Sequence, residues 1–184
     1  MAETAKLIVL RGPSGAGKST VAARLHQEVA AKTALIEQDY YRYTMFNNLH
    51  SDLEAPRYVM FAGVLAALGH GYDVILEGFM GMGKYKPYFD DVLERHPEEN
   101  YFFYFDVPFQ ETLRRHTSRQ KDQSLDEAKM HELYLKSGPT SYPKETVIHQ
   151  DTSVETAVSR IAGIANLQLN PHTASGASSL SQGR

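Results

Sequence analysis

The sequence predicts one α/β domain built on a doubly wound parallel sheet, and three observations lead to this fold class. Short apolar runs recur along the chain, and their apolar character is continuous rather than alternating. Such runs are typical of strands that are buried on both faces. Segments with helical spacing lie between the runs, and this alternation favours a parallel sheet with helices on both sides. The length of 184 residues fits a single domain with a sizeable core.

The predicted elements alternate along the chain. Apolar runs predict strands at residues 6–10, 33–37, 73–77, 101–107 and 145–149. Ser153 is placed to cap the last of the predicted helices, which span residues 18–31, 54–69, 108–120, 125–136 and 153–168. A plain surface loop is one interpretation of residues 78–89, which are rich in glycine and aromatic side chains. The domain is predicted to span residues 1–168, and the small polar residues of 169–184 predict a flexible tail.

The composition argues against several classes of function. The formal net charge of −3 gives no general attraction to nucleic acid, so a nucleic-acid partner is not expected. The absence of cysteine excludes disulfides and thiolate metal sites. The N-terminal apolar run is too short for a signal peptide, and no run of about 18 apolar residues occurs. We therefore expect a cytoplasmic protein without membrane association, as a monomer or a homodimer.

Residues 12–19, GPSGAGKS, carry the strongest functional signal because they fit the pattern G-x-x-x-x-G-K-[ST] between a predicted strand and a predicted helix. Glycines accept positive φ and allow phosphate oxygens to approach the backbone, and the helix directs its positive end to the same place. Lys18 is expected to bridge the β- and γ-phosphates, and the Ser19 hydroxyl to bind Mg²⁺. The alternative is a glycine-rich turn before an ordinary helix. The residues predicted to bind the nucleotide are Gly12, Pro13, Ser14, Gly15, Ala16, Gly17, Lys18, Ser19 and Thr20.

With this motif, the chain resembles the small P-loop kinases, a group that includes chloramphenicol phosphotransferase, zeta toxins and the kinase domain of polynucleotide kinase. The resemblance covers about residues 5–168. It implies five parallel strands, with the first in the centre and the second at one edge, and a helical lid at about residues 116–139. It also implies an enzyme that uses ATP and Mg²⁺ to transfer the γ-phosphoryl group to a hydroxyl of a small molecule.

Two carboxylates follow predicted strands at the edge where ligands bind in open α/β sheets. The resemblance implies that Asp39 orients or deprotonates the acceptor hydroxyl, and the spacing of Asp39 and Arg42 is similar to the polynucleotide kinase pattern. The alternative is that Asp39 caps a helix beginning at Tyr40. Glu77 stands where the resembled kinases often have aspartate, so its role as a metal ligand, an acceptor contact or a helix start is left open.

Arginines in the helix predicted at residues 108–120 form the next candidate group. Arg115 and Arg119 stand four residues apart on one helical face. The resemblance implies that this arrangement opens the lid, with one arginine near the adenine or the phosphates and the other at the transferred group. Arg114 is a rival for either position, and a solvated basic face is the alternative interpretation.

The acceptor itself cannot be read from the sequence. Arg57 either contacts an anionic or polar group of the acceptor or is a solvent-exposed helical residue. The resemblance implies that residues 78–89 line the acceptor pocket, which is the alternative to a plain surface loop. Aromatic residues in the segments 40–60 and 78–90 suit a ring-bearing acceptor such as an antibiotic, a nucleoside or a sugar. The residues predicted to bind the acceptor are Asp39, Arg42, Arg57, Glu77 and Lys84.

Three alternative functions are a polynucleotide 5′-hydroxyl kinase, a zeta-toxin-like sugar-nucleotide kinase and a nucleotide-dependent switch protein. The net charge and the lack of a lysine- and arginine-rich run argue against a polynucleotide acceptor. Switches that bind GTP need a base-selective N-K-x-D loop, which the sequence lacks. The preference of an enzyme for ATP or GTP stays open.

Overall fold

The computed structural model describes residues 4–47, 53–118, 127–141 and 143–170, and its centre is a five-stranded sheet. The strands are β1 (Leu7–Arg11), β2 (Thr33–Glu37), β3 (Asp73–Gly78), β4 (Asn100–Asp106) and β5 (Glu145–His149). Every strand pair is parallel, and the order across the sheet is β2-β3-β1-β4-β5. The doubly wound parallel sheet is confirmed, as are the central first strand and the second strand at one edge.

Helices connect successive strands and cover the sheet. They are α1 (Lys18–Glu28), α2 (Glu54–Gly69), α3 (Met82–Arg95), α4 (Phe109–Ser118), α5 (Glu127–Leu135) and α6 (Val154–Ile164). A short π-helical segment, Tyr40–Met45, follows β2. Ser153 caps α6 as predicted, because its Oγ accepts a hydrogen bond from Thr156 N at 3.1 Å. None of the helices in the described part of the chain is long and apolar enough to cross a membrane.

Two apolar layers, one on each face of the sheet, form the core. On one face Ile8 packs with Leu25 of α1, and on the other Leu7 packs with Val64 of α2 and Phe89 of α3. Successive residues of a strand point to opposite faces, so a strand that is covered on both faces must be apolar throughout. The four apolar residues Leu7–Leu10 of β1 are all buried, and cover on both faces explains the continuous apolar runs in the sequence.

The interpretation of residues 78–89 as a surface loop is wrong for most of that segment, because α3 begins at Met82 and continues beyond it. Tyr85, Phe89 and Val92 recur at helical spacing, and all three are buried in the core layer under α2 and α3. Burial of one apolar face outweighs the cost of placing Pro87 inside a helix. The helical spacing was present in the sequence but was masked by the glycines and the proline around it.

The first two residues of the predicted tail contact the end of α1. Leu169, the first residue of the predicted tail, forms an isolated bridge with Val29, and Asn170 N donates a hydrogen bond to Glu28 O at 2.7 Å. The other residues of the predicted tail lie outside the described residues, as do residues 119–126 of the predicted lid. The described part of the lid region includes α5.

The carboxyl ends of the strands bring the candidate site residues together. β1 leads into the glycine-rich loop, Asp39 follows β2, and Glu77 lies near the end of β3. The register of the sheet pairs Glu77 with Leu10 of β1 and with Glu37 of β2. Parallel strands share one ligand-binding edge, so segments that are distant in sequence meet there.

Candidate functional site

The loop at residues 12–19, called the phosphate loop below, curls between the sheet and α4. A Cβ atom added at Gly12 would lie 2.7 Å from the Phe105 carbonyl oxygen, and φ at Gly12 is +145°. Only glycine fits this position. Gly17, which also has positive φ, precedes α1 and has no side chain to cap it. The first N–H groups of α1 are therefore left to an anionic ligand, which the helix end also favours electrostatically.

Lys18 is a buried cation beside this loop. Its Nζ donates a hydrogen bond to the Pro13 carbonyl oxygen at 2.9 Å and lies 3.7 Å from Glu77 Oε1. Burial lowers the pKa of Lys18, and the negative charges of Glu77 and Asp39 oppose this shift. The ammonium thus faces the space enclosed by the loop, and its carboxylate partner lies beyond hydrogen-bond distance. An incoming phosphate would supply the closer, charge-assisted contact.

Glu77 and Ser19 supply oxygen atoms next to Lys18. Burial raises the pKa of Glu77, while the charge of Lys18 and a hydrogen bond from Ser19 hold it down. A carboxylate and a hydroxyl fit Mg²⁺, which usually binds one or two protein oxygens together with phosphate oxygens and water. Within residues 4–47, 53–118, 127–141 and 143–170 no cluster of three or more His, Asp or Glu side chains could hold a metal. The remaining ligands of a magnesium ion here would therefore come from the nucleotide and from water.

Asp39 stands at the start of the π-helical segment and is exposed. Its backbone is helical, with φ −66° and ψ −32°, and its side chain makes no capping hydrogen bond. The helix-capping alternative for Asp39 is therefore not observed. The carboxylate is close enough to Lys18 and Glu77 to influence the pKa of both. The structure thus brings Asp39, Lys18 and Glu77 to one charged site, and neither Glu77 nor Asp39 serves as a side-chain cap.

Gln38 is a site residue that the sequence analysis missed. Its Oε1 accepts hydrogen bonds from Phe79 N at 2.7 Å and Met80 N at 3.3 Å, and its Nε2 donates to the Tyr85 hydroxyl. A Cβ atom added at Gly78 would lie 2.5 Å from Gln38 Oε1, so the side chain of Gln38 occupies the space that glycine leaves. Gln38 ties the segment that carries Asp39 to the loop after β3. In the sequence, only the position of Gln38 directly after a predicted strand indicated a role for it.

Arg115 reaches the phosphate loop from α4. Its Nη1 lies 3.4 Å from the carbonyl oxygen of Ala16, and its Nη2 lies 3.4 Å from the carbonyl oxygen of Gln150. Arg115 thus spans the phosphate loop and the turn after β5. Its Nε donates to Glu111 Oε1 at 2.6 Å, which fixes the side chain on its own helix.

Arg114 takes a different position. Its guanidinium donates to both oxygens of Glu111, to Oε2 at 2.7 Å and to Oε1 at 2.8 Å, and its side chain is 70% exposed. Of these two arginines, the structure brings Arg115 and not Arg114 to the phosphate loop. Arg119 lies outside the described residues. Hydrogen bonds from the two guanidinium groups hold the pKa of Glu111 at about 2.

A cleft lies next to Gln38, between the π-helical segment, α2 and α3, and is called the acceptor cleft below. Arg42 and Arg57 line it, and Lys84 does not, being exposed in the first turn of α3. The side chain of Arg57 is only 14% exposed, which argues against the interpretation of Arg57 as a solvent-exposed helical residue. The lining residues are Gln38, Tyr41, Arg42, Leu53, Pro56, Arg57, Met60 and Tyr85.

A buried ion pair beneath the phosphate loop was also missed. Arg11 is fully buried and donates through Nε and Nη2 to both carboxylate oxygens of Glu145, with the second contact at 2.9 Å. Nη2 also donates to the Gly138 carbonyl oxygen at 2.8 Å, and Nη1 lies 3.4 Å from the carbonyl oxygens of Met80 and Ser137. Arg11 therefore connects β1, β5, the loop after β3 and the end of the predicted lid. Partners 134 residues apart leave no local signal in the sequence.

Residues 7–136 match the protein family described as an AAA domain, and no curated protein matches the chain. Solved structures with a similar fold include the tunicamycin resistance protein of Deinococcus radiodurans, with a TM-score of 0.69 and 14% identity over 91% of this chain and 99% of that chain. The APS kinase of Mycobacterium tuberculosis, solved in complex with AMPPNP and APS, has a TM-score of 0.70 and 14% identity over 89% and 98% of the two chains.

A gluconokinase from Sinorhizobium meliloti has a TM-score of 0.62 and 16% identity over 89% of this chain and 95% of that chain. These identities are low, but the coverage is nearly complete in both directions. The likeness therefore shows a shared fold, the P-loop kinase fold, over almost the whole length of the proteins compared.

Proposed function

The chain belongs to the AAA-domain family, and from this premise we propose that it is a kinase that transfers the γ-phosphoryl group of ATP to a hydroxyl of a small molecule. The observation that carries the proposal is the charged site at the phosphate loop, where Lys18 Nζ lies 3.7 Å from Glu77 Oε1 and the charge of Asp39 affects the pKa of both. A nucleotide switch needs the loop, the lysine and the metal ligands. A second carboxylate beside them is what transfer to a hydroxyl requires in addition.

The proposed reaction assigns one task to each group. The N–H groups of the phosphate loop and Lys18 bind the β- and γ-phosphates, and Arg115 stabilises charge on the transferred group. Asp39 orients the acceptor hydroxyl and accepts its proton as the hydroxyl oxygen bonds to the γ-phosphorus. The bond between that phosphorus and the β–γ bridging oxygen breaks, and its electrons leave with ADP. Mg²⁺ held by Ser19 and Glu77 would supply charge neutralisation on the phosphates.

Exclusion of water is assigned to the lid region, residues 116–139. Arg11 holds the carbonyl oxygens of Ser137 and Gly138 at the end of that region, next to the start of the phosphate loop. In this proposal the lid region closes over the phosphates when both substrates are bound. Closure would suppress hydrolysis of ATP in the absence of an acceptor. We propose that residues 1–168 act as one catalytic domain.

A small acceptor suits the acceptor cleft better than a polymer. The cleft is narrow, has an open side and is lined by eight described residues, whereas sites for drug-sized ligands enclose roughly 300–1,000 Å³. The net charge of −3 also gives no general attraction to a polyanion. The APS kinase and the gluconokinase with this fold carry small molecules in their names, which supports a small acceptor here.

Release of ADP from Mg–ATP, measured with a panel of hydroxyl compounds, tests the proposal. We expect turnover that depends on one class of acceptor. Asp39→Asn should leave the affinity for ATP unchanged and lower the rate about a hundredfold or more, since it removes the proton acceptor. Asp91→Asn, on the exposed surface of α3, is the matched control and should retain the full rate.

Two results would contradict the proposal. A folded protein that binds Mg–ATP but releases ADP at the same slow rate with every acceptor is a switch or an ATPase and not a kinase. Efficient phosphorylation of a 5′-hydroxyl oligonucleotide, with a steep dependence on salt, would instead identify a polynucleotide acceptor. Full activity of Asp39→Asn would overturn the role assigned to Asp39.

A further inference from the structure

Arg57 is a partly buried arginine, and one of its N–H donors has no hydrogen-bond partner within the described residues. Its guanidinium stacks on the ring of Tyr85, 5.1 Å from the centroid, and its Nη1 lies 3.7 Å from Glu54 Oε2. Its Nε is buried and has no hydrogen-bond partner within the described residues. A buried donor without a partner costs free energy, so this donor needs a partner that the described residues do not supply, such as water or a bound ligand.

Arg42 lines the same cleft and also has a buried N–H donor without a hydrogen-bond partner in the described part of the chain. Its guanidinium stacks on Tyr43, 4.8 Å from the ring centroid, and its Nε is also buried without a partner among the residues that the structure describes. The stacking fixes the plane of each guanidinium but uses none of its N–H donors. Arg42 and Arg57, on two different elements, thus line one cleft, and the Nε donor of each has no partner within the described residues.

Within the part of the chain that the structure describes, no carboxylate lines the cleft beside these arginines. Its eight described lining residues include no aspartate or glutamate. The amide of Gln38 is engaged by the N–H groups of Phe79 and Met80 and by Tyr85. Glu54, whose Oε2 lies 3.7 Å from Arg57 Nη1, is 77% exposed and accepts a hydrogen bond from the Tyr88 hydroxyl at 2.7 Å.

We propose that the acceptor cleft binds the anionic group of the acceptor, a carboxylate or a phosphate, between Arg42 and Arg57. This inference rests on the proposed function and narrows it: the acceptor is a hydroxy acid or a phosphorylated alcohol rather than a neutral compound. Guanidinium groups bind such anions through paired hydrogen bonds, and the anion would supply partners for both Nε atoms. Asp39, three residues before Arg42, then meets the hydroxyl of the same molecule.

Binding of an anion can be measured without turnover. The full chain is saturated with Mg–AMPPNP, so that the phosphate loop is filled, and orthophosphate is then added at constant ionic strength. We expect the thermal unfolding midpoint to rise by about 2 °C or more in the wild type. The rise should persist in Arg95→Gln, which changes an exposed arginine of α3, and disappear in Arg42→Gln and Arg57→Gln. Equal rises in all four proteins, or no rise in the wild type, would overturn the proposal.

Turnover separates this inference from the proposed function. Acceptors are offered as matched pairs, such as gluconate with glucose and glycerol 3-phosphate with glycerol. We expect activity with one anionic compound and not with its neutral partner, and a KM at least tenfold higher in Arg57→Gln with kcat changed less. Arg57→Lys should restore part of the loss, because it restores the charge but not the planar fork.

The two failures are distinguishable. If a neutral compound is phosphorylated and its KM is the same in Arg57→Gln as in the wild type, the anion inference is wrong and the kinase proposal stands. If orthophosphate binding depends on both arginines but no acceptor is ever phosphorylated, the kinase proposal is wrong and the anion site stands.

Discussion

The buried ion pair of Arg11 and Glu145 offers a sharp test of how the fold supports the site. In Arg11→Met the Glu145 carboxylate, 1% exposed, keeps only the hydrogen bond from Thr140 N at 2.7 Å within the described residues. The carbonyl oxygens of Met80, Ser137 and Gly138 lose their donor at the same time. Removing one member of a buried pair costs about 3–5 kcal/mol. For a chain of this length, that loss lowers the unfolding midpoint by roughly 6–20 °C.

Urea unfolding of the variants measures this loss as a shift in midpoint at constant slope. Arg95→Met is the matched control, because Arg95 forms an exposed pair with Asp91 on α3 and its loss should cost less than about 0.5 kcal/mol. The double variant Arg11→Met/Glu145→Met should recover much of the stability, since no charge is left buried. A loss below about 1 kcal/mol in Arg11→Met, or a double variant no more stable than the single one, would refute the reasoning.

Two further predictions concern the contacts around the site. Gly78→Ala should lower the free energy of unfolding by about 1–3 kcal/mol in urea unfolding, since the added Cβ would lie 2.6 Å from the Cβ of Gln38. Gly69→Ala is the control, because its added Cβ meets nothing within 4 Å, and it should be neutral or stabilising. Glu111 has a pKa of about 2 in the folded state against 4.5 unperturbed, so its contribution to stability is present above pH 4.5 and is lost as the pH falls towards 2. Glu111→Gln should remove this part of the pH dependence of the urea midpoint, and an unchanged pH profile would contradict the assigned pKa.

The fold was largely predictable because its signals are local. A strand that is covered on both faces needs continuous apolar residues, and β1, β3 and β4 show this pattern without interruption in their centres. The phosphate-loop motif is also a local signal, since a loop that curls around phosphates needs glycines at fixed positions within a few consecutive residues. Strand order was reached through the resemblance to a family and not from spacing.

The missed features depend on contacts that are distant in sequence. Gln38 can bridge two loops because Gly78 leaves room for its side chain. Arg11 forms its ion pair with Glu145, which lies 134 residues away on β5, and β4 separates β5 from β1 in the sheet. Neither residue carries a motif. The missed helix α3 has a different cause: Pro87 and neighbouring glycines are strong local signals for a break, and only the packing of the apolar face against the sheet overrides them.

Calorimetric titration of the full chain with Mg–ATP tests the central claim most directly. The claim is that the phosphate loop and Lys18 bind the phosphates of a nucleotide. We predict one binding site in the wild type, the same affinity in Lys32→Ala, which changes an exposed lysine at the opposite end of the sheet, and at least a tenfold loss in Lys18→Ala. A folded wild-type protein that releases no heat and binds no nucleotide, or a Lys18→Ala variant that binds as tightly as the wild type, would contradict it.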